Sequence, residues 1–241
     1  MSIASSHKRI LVLGGYGSFG SRLCRLLTAH TEHTVLVAGR REDKAKNHCE
    51  TFGGKPLRLN NQTVCAGMLK ALKIDILVDA SGPFFHETPN PYGIVDAYIG
   101  SDTHDIDLSD DPEFTDGVSD FNGDARDKGL LVSSGASTVP AISGAIADEL
   151  TNNMTRVEFV ESTILPGNRA PRGRSLIQSI LRQTGRPFSI WADGQEETVL
   201  VNMGRRTGRN GSRLVGPETD KGQCVTHPRI EATMERIDRC P

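Results

Sequence analysis

Arg9-Ile10-Leu11-Val12-Leu13-Gly14-Gly15-Tyr16-Gly17-Ser18-Phe19-Gly20 decides how this chain is read. Residues 10–13 are an apolar run of strand length that stops at glycine, and Leu23, Leu26 and Leu27 then recur at helical spacing. The pattern predicts a strand, a tight turn and a helix. Gly15, Gly17 and Gly20 match G-x-G-x-x-G. In that pattern the first glycine permits the sharp turn, the second lets a pyrophosphate approach the backbone, and the third lets helix pack closely on strand. N–H groups at the helix start, aided by the helix dipole, then face the phosphates, with Tyr16, Ser18 and Phe19 in the same candidate site. Because the 241 residues include 25 glycines, such a spacing also arises by chance, and a βα turn without a ligand is the plain alternative.

The second apolar run, Thr34-Val35-Leu36-Val37-Ala38, leads into Gly39-Arg40-Arg41. NAD-binding units commonly close this strand with a carboxylate for the ribose hydroxyls, whereas an arginine suits the 2′-phosphate of NADP. No carboxylate stands at this strand end. Arg40 and Arg41 offer planar, permanently charged donors, so NADP is expected ahead of NAD. The alternative is two solvated arginines at the start of the helix expected over 42–52, which residues 53–56 stop. A short strand at 57–59 would leave residues 60–63 in a loop within reach of adenine, and a helix follows at 64–72. The run 74–80 is the strongest remaining strand, and it enters Ser81-Gly82-Pro83. Ligands of parallel sheets lie at the carboxyl ends of strands, so Ser81, Gly82 and Pro83 are expected beside the nicotinamide half, or else form an ordinary turn.

Further along, a helix is expected at 92–99, a strand of alternating polarity at 104–108, a strand at 130–132 and a helix at 141–150. Carboxylates crowd residues 102–127. Such a run reads as a solvated face, with helix-capping and turn residues around Ser109-Asp110-Asp111-Pro112, and its spacing fits no calcium loop. Near Asn152 the patterning changes. Residues 156–164 alternate like a strand with one exposed face, 172–183 read as a basic helix, and 187–201 as a hairpin turning at 192–194. Beyond residue 202 the apolar periodicity fades. The expected organisation is a doubly wound parallel α/β domain of the Rossmann type over 1–151, a smaller, partial α+β domain for substrate or dimerisation over 152–201, and an irregular or mobile tail over 202–241.

A formal charge of −2 gives no overall pull toward nucleic acid or an anionic membrane. No run reaches membrane-span length and residues 1–8 lack a signal-peptide core, so a cytoplasmic protein is expected. The five cysteines are scattered, without C-x-x-C spacing, and read as reduced thiols. No metal site is expected; His30 and His33 read as polar residues at a helix end. The partner expected is a small-molecule substrate, with room for a homodimer.

Competing enzyme classes lack their signatures. A short-chain dehydrogenase needs Tyr-x-x-x-Lys, but Tyr16, Tyr92 and Tyr98 are followed four positions on by Gly20, Asp96 and Asp102, and no G-x-S-x-G elbow marks a hydrolase. His86, His104 and Asp107 lie near expected strand ends but have no identifiable partner, so no catalytic residue is assigned. Arg169, Arg172 and Arg174 either meet a carboxylate substrate or begin a solvated basic helix.

The ordered set Val12-Leu13-Gly14-Gly15-Tyr16-Gly17-Ser18-Phe19-Gly20, Val37-Ala38-Gly39-Arg40 and Val78-Asp79-Ala80-Ser81-Gly82-Pro83-Phe84 resembles the saccharopine dehydrogenase-like NADP-binding domain. Tyr92-Gly93, Val95-Asp96-Ala97 and Asp105-Ile106-Asp107-Leu108-Ser109 continue the likeness. The resemblance implies a Rossmann domain joined to an α+β domain and an NAD(P)-dependent oxidoreductase acting on a carbonyl, imine or amino-acid-like substrate. It gives the cofactor role to Gly15, Gly17, Ser18, Phe19, Gly20, Arg40 and Ser81 to Pro83. Members usually continue where this patterning weakens, after about residue 201. An NADP-binding regulator or sensor without turnover, or an inactive truncated member, is the alternative.

Overall fold

The structure is a computed structural model. It describes residues 7–82, 84 and 90–157, and beyond them residues 163–164, 177–178, 181, 185, 187–192, 195–200, 206–207, 213–214 and 223–224. Strands β1 (Arg9–Leu13), β2 (Thr34–Gly39), β3 (Lys55–Arg58), β4 (Ile76–Asp79), β5 (His104–Asp107) and β6 (Val132–Ser133) form one sheet in the order β3-β2-β1-β4-β5-β6. Every pairing is parallel. Parallel neighbours need long crossovers, and helices α1 (Gly20–His30), α2 (Glu42–Phe52), α3 (Ala66–Leu72), α4 (Gly93–Gly100), α5 (Pro112–Val118) and α6 (Asn122–Asp127) occupy them. This is the doubly wound α/β architecture expected from the sequence.

The central strands are apolar throughout because both faces of the sheet are covered. Successive side chains point to opposite faces, so Leu11, Leu13, Leu36 and Leu77 join Leu69, Val95, Tyr98 and Phe114 on one side. Ile10, Val12, Val35, Val37 and Val78 join Cys24 on the other. Truncating any of the fully buried leucines to alanine would cost about 2–5 kcal/mol.

Two elements differ from expectation for identifiable reasons. β3 begins at Lys55, two residues early, and contains Pro56. Proline cannot donate to a ladder, but β3 is the edge strand and has a neighbour on one side only. On β5 the polar pattern is inverted: Asp105 and Asp107 are buried while His104 and Ile106 are partly exposed. The acidic stretch is therefore not solvated throughout. Asp111 does cap a helix as expected, its carboxylate accepting the Phe114 N–H at 3.0 Å.

The chain divides into two compact units, Met1–Ser137 and Thr138–Pro241. In the second, α7 (Ser143–Thr151) matches the helix expected there. β7 (Thr163–Ile164) pairs with Gln223–Cys224. β8 (Pro187–Ala192) and β9 (Gln195–Leu200) form the expected antiparallel hairpin. Arg206–Thr207 pairs with Arg213–Leu214. Most of the helix at 172–183, most of the strand at 156–164 and most of the tail from 202 lie outside the described residues, as do Pro83, His86, Arg169, Arg172 and Arg174.

Candidate dinucleotide site at the carboxyl edge of the sheet

β1 lies between β2 and β4, and the strand order reverses there, which opens a crevice beyond the strand ends. The glycine-rich turn fills the start of that crevice. Gly14 has φ 69°, a left-handed conformation that favours glycine. A Cβ on Gly14 would lie 2.5 Å from the Ala80 carbonyl oxygen and 2.8 Å from the Ser81 Cα. The residue that makes the sharp turn is thus Gly14 and not Gly15. Gly15 serves close packing: a Cβ there would sit 2.9 Å from Val37 Cγ1 and 3.2 Å from Cys24 Sγ. Gly20 also serves packing, since a side chain would collide with the Gly14 carbonyl and approach the Gly15 Cα to 2.9 Å. Gly17 differs. Its N–H donates to the Gly14 carbonyl at 2.7 Å, and an added Cβ would touch that oxygen at 3.0 Å with, among the described residues, only the Gly14 carbonyl carbon, at 4.0 Å, otherwise in range.

Among the described residues the helix behind this turn starts without a side-chain cap. Phe19 is the N-cap residue of α1, its side chain makes no cap, and the first turn carries no acidic residue. Among the described residues no acceptor takes the N–H groups of Ser18, Phe19 or Gly20. Ser18 and Phe19 are exposed, Phe19 by 57%. Free amides at a helix N-terminus, with the dipole behind them, suit an anion.

Tyr16 links the turn to β2. Its ring occupies the space a Gly39 side chain would need, 2.5–2.6 Å from that Cβ position, and its hydroxyl accepts the Arg41 N–H at 2.8 Å. The room at Gly39 is therefore used by a tyrosine. The Arg41 guanidinium pairs with Asp43 at 2.8 Å on the surface. Arg40 has no ion pair among the described residues and lines an open cleft of about 440 Å³ with Arg58, Leu59, Asn60, Thr63 and Met68. The loop at 60–63, expected near adenine, lies in this cleft. Arg58 does not stand out in the sequence; its one signal is the final position of β3, in register with Gly39.

On the other side of the turn, two adjacent strands end in the same device. Asp79 Oδ1 accepts the Ser81 N–H at 2.8 Å, and Asp107 Oδ1 accepts the Ser109 N–H at 2.8 Å and the Gly135 N–H at 2.9 Å. Asp79 and Asp107 are neighbours across β4 and β5. Burial pushes the Asp79 carboxyl up to about 6, with the Ser81 hydrogen bonds pulling against it and Asp107 adding to the rise. Burial also raises Asp107, which the Gly135, Ser134 and Ser109 hydrogen bonds oppose, and raises Asp105 well above the usual carboxylate range. The hydroxyls of Ser81 and Ser134 lie buried beside these carboxylates without well-formed hydrogen bonds. His104 Nδ1 accepts the Leu131 N–H at 3.0 Å. Asp107 closes β5 at the carboxyl edge and is engaged by backbone, whereas His104 opens β5 at the opposite, amino edge and so stands away from the site.

Gly14 and Ser81 bring together the first and third sequence motifs, and Tyr16 brings the first to the second. Among the described residues no cluster of three or more His, Cys, Asp or Glu could hold a metal ion, and no helix is long and apolar enough to cross a membrane.

Sheet order, turn and open helix start define an α/β domain of the Rossmann dinucleotide-binding type. The saccharopine dehydrogenase NADP binding domain family matches residues 10–132, and the chain belongs to that family. It therefore carries an NADP-binding domain. No curated protein matches the sequence significantly. Among solved structures, an apo saccharopine dehydrogenase (L-Glu forming) from Saccharomyces cerevisiae is similar with a TM-score of 0.59 and 18% identity, over 80% of this chain and 44% of that one. A biliverdin reductase from Synechocystis in complex with biliverdin and NADP+ has a TM-score of 0.43 and 19% identity, over 68% and 49%. A 3-ketoreductase from Actinomadura kijaniata in complex with NADP has a TM-score of 0.43 and 21% identity, over 62% and 45%. The chain spans less than half of each of these three.

Proposed function

We propose that the chain binds NADP(H) along the carboxyl edge of its sheet and acts as an NADP-dependent oxidoreductase of the saccharopine dehydrogenase-like type. Hydride would pass between the cofactor and a small carbonyl, imine or amino-acid-like substrate. One observation carries this reading: α1 begins with free amides, no cap and no acidic residue, directly behind a glycine turn at the switch point. The residues fit the group. Gly17 leaves the backbone open to a pyrophosphate, and the amides of Ser18, Phe19 and Gly20 supply its donors.

The bound cofactor would supply the hydride chemistry itself. The chain's part is to hold and orient it. Gly15 and Gly20 keep helix against strand, Tyr16 fixes the turn to β2, and Arg40 meets the 2′-phosphate. Ser81, Gly82 and Pro83 border the nicotinamide half, with Asp79 holding the Ser81 backbone in place. In the same reading residues 1–151 serve the cofactor, 152–201 contribute to substrate binding or a dimer contact, and the protein is cytoplasmic.

The second reading is NADP binding without turnover, favoured by the engagement of Asp107 in backbone hydrogen bonds and by the position of His104 at the amino end of β5. Fluorescence titration with NADPH and NADH, followed by carbonyl and imine substrates, separates the two. Saturable NADPH binding with turnover supports the oxidoreductase, saturable binding alone supports the regulator, and no binding of either nucleotide contradicts both.

A further inference from the structure

Two guanidinium groups line one cleft, and among the described residues no carboxylate forms an ion pair with either. Arg40 follows β2, and Arg58 ends β3 in register with Gly39, so the two arise from neighbouring strands at the same edge. Both line the cleft of about 440 Å³, a size within the roughly 300–1,000 Å³ typical of ligand sites. Among the described residues neither forms an ion pair; the nearby Glu42 is held by Lys46 at 2.7 Å. Like charges brought to one cleft repel unless an anion joins them. The rest of the lining is of another kind: Leu59 is buried and apolar, Met68 is apolar, and Asn60 and Thr63 add polar atoms. An apolar wall beside two cations fits a flat heterocycle that carries a phosphate.

We propose that Arg58 joins Arg40 in holding the 2′-phosphate of NADP, so that cofactor selectivity is divided between two strands instead of residing in Arg40 and Arg41. This rests on the reading that the chain binds NADP. Arg41 is committed elsewhere, its side chain to Asp43 and its N–H to Tyr16. Two planar donors approaching from adjacent strands can each give a phosphate parallel, charge-assisted hydrogen bonds.

The test uses the full chain and two probes, 2′,5′-ADP and 5′-AMP, which differ only in the 2′-phosphate. The parent binds 2′,5′-ADP more tightly. Arg58→Ala lowers that affinity roughly tenfold to a hundredfold and leaves 5′-AMP affinity alone. Arg58→Lys recovers part of the loss, and Arg40→Ala combined with Arg58→Ala erases the preference. Lys44→Ala, an equal loss of charge on α2 outside the cleft lining, leaves both affinities as in the parent. Should Arg58→Ala melt at a lower temperature, Arg58→Gln, which keeps most of the stem, gives the same reading. If the parent prefers 2′,5′-ADP and Arg40→Ala weakens it while the Arg58 variants do not, the two-strand clamp is wrong and NADP binding stands. If Arg58→Ala weakens both probes alike, Arg58 does not meet the 2′-phosphate. If the parent binds the two probes equally or binds neither, the NADP reading itself fails.

Discussion

The two sides of the glycine turn handle charge in opposite ways. Toward β3, Arg40 and Arg58 stand exposed on an open cleft, and among the described residues neither forms an ion pair. Toward β6, Asp79 and Asp107 are buried, and backbone N–H groups hold their carboxyl oxygens. The first side spends no stabilising contacts on its charges and leaves them for a ligand. The second uses carboxyl groups as internal fasteners for the turns that would border a ligand. A charge left open points to recognition, whereas a buried and hydrogen-bonded one points to construction.

The largest effect should come from the turn that joins the two sides. In Gly17→Val the added Cβ meets, among the described residues, only the Gly14 carbonyl, so the fold survives, while the space for a pyrophosphate is filled. Cofactor affinity should fall by about a hundredfold or more with little change in melting temperature. Calorimetry showing parental affinity would remove the turn from the site. Gly20→Val should instead fail to fold stably, because its side chain collides with the Gly14 carbonyl.

Asp79→Asn probes the fastener side. The amide oxygen still accepts the Ser81 N–H, but ionisation is gone. In the parent the folded pKa, about 6, exceeds the unfolded value of about 3.9, so the unfolded chain loses its proton first. The contribution of Asp79 to stability is therefore fully present below about pH 4 and declines as pH rises to about 6, by on the order of 2–3 kcal/mol. The stability advantage of Asp79→Asn over the parent should grow across that window in denaturant titrations. Parallel pH profiles would mean that Asp79 ionises freely.

A smaller effect is expected on the arginine side. Tyr16→Phe removes the acceptor for the Arg41 N–H while keeping the ring over Gly39, and should cost about 0.5–1.5 kcal/mol. A loss near zero in thermal unfolding would show that water replaces the hydroxyl.

The sheet was legible because buried parallel strands leave near-continuous apolar runs, as at 10–13, 34–38 and 74–80. The Rossmann order and the family followed from motifs that lie on those runs. Local patterning could not say which of two consecutive glycines takes the left-handed conformation, and Gly14 does because Ala80 and Ser81 crowd it. Nor could it orient His104-Asp105-Ile106-Asp107, where alternation fixes two faces but not which one is buried. Asp107 faces inward, where the N–H groups of Ser109 and Gly135 meet it, while Asp105 Oδ1 is buried with no hydrogen-bond partner among the described residues. Arg58 was illegible for a third reason: its link to Arg40 crosses strands, and only the β2–β3 register places the two in one cleft.

The central claim is an NADP site closed by arginine, and calorimetric titration of the parent and Arg40→Ala with NADPH and NADH tests it most directly. Well-formed charged hydrogen bonds are worth about 1.5–3 kcal/mol each, so the parent should favour NADPH by roughly tenfold to a hundredfold. Salt should reduce that preference. Arg40→Ala should weaken NADPH binding much more than NADH binding. A parent that prefers NADH, or an Arg40→Ala variant that loses both nucleotides equally, would contradict the account.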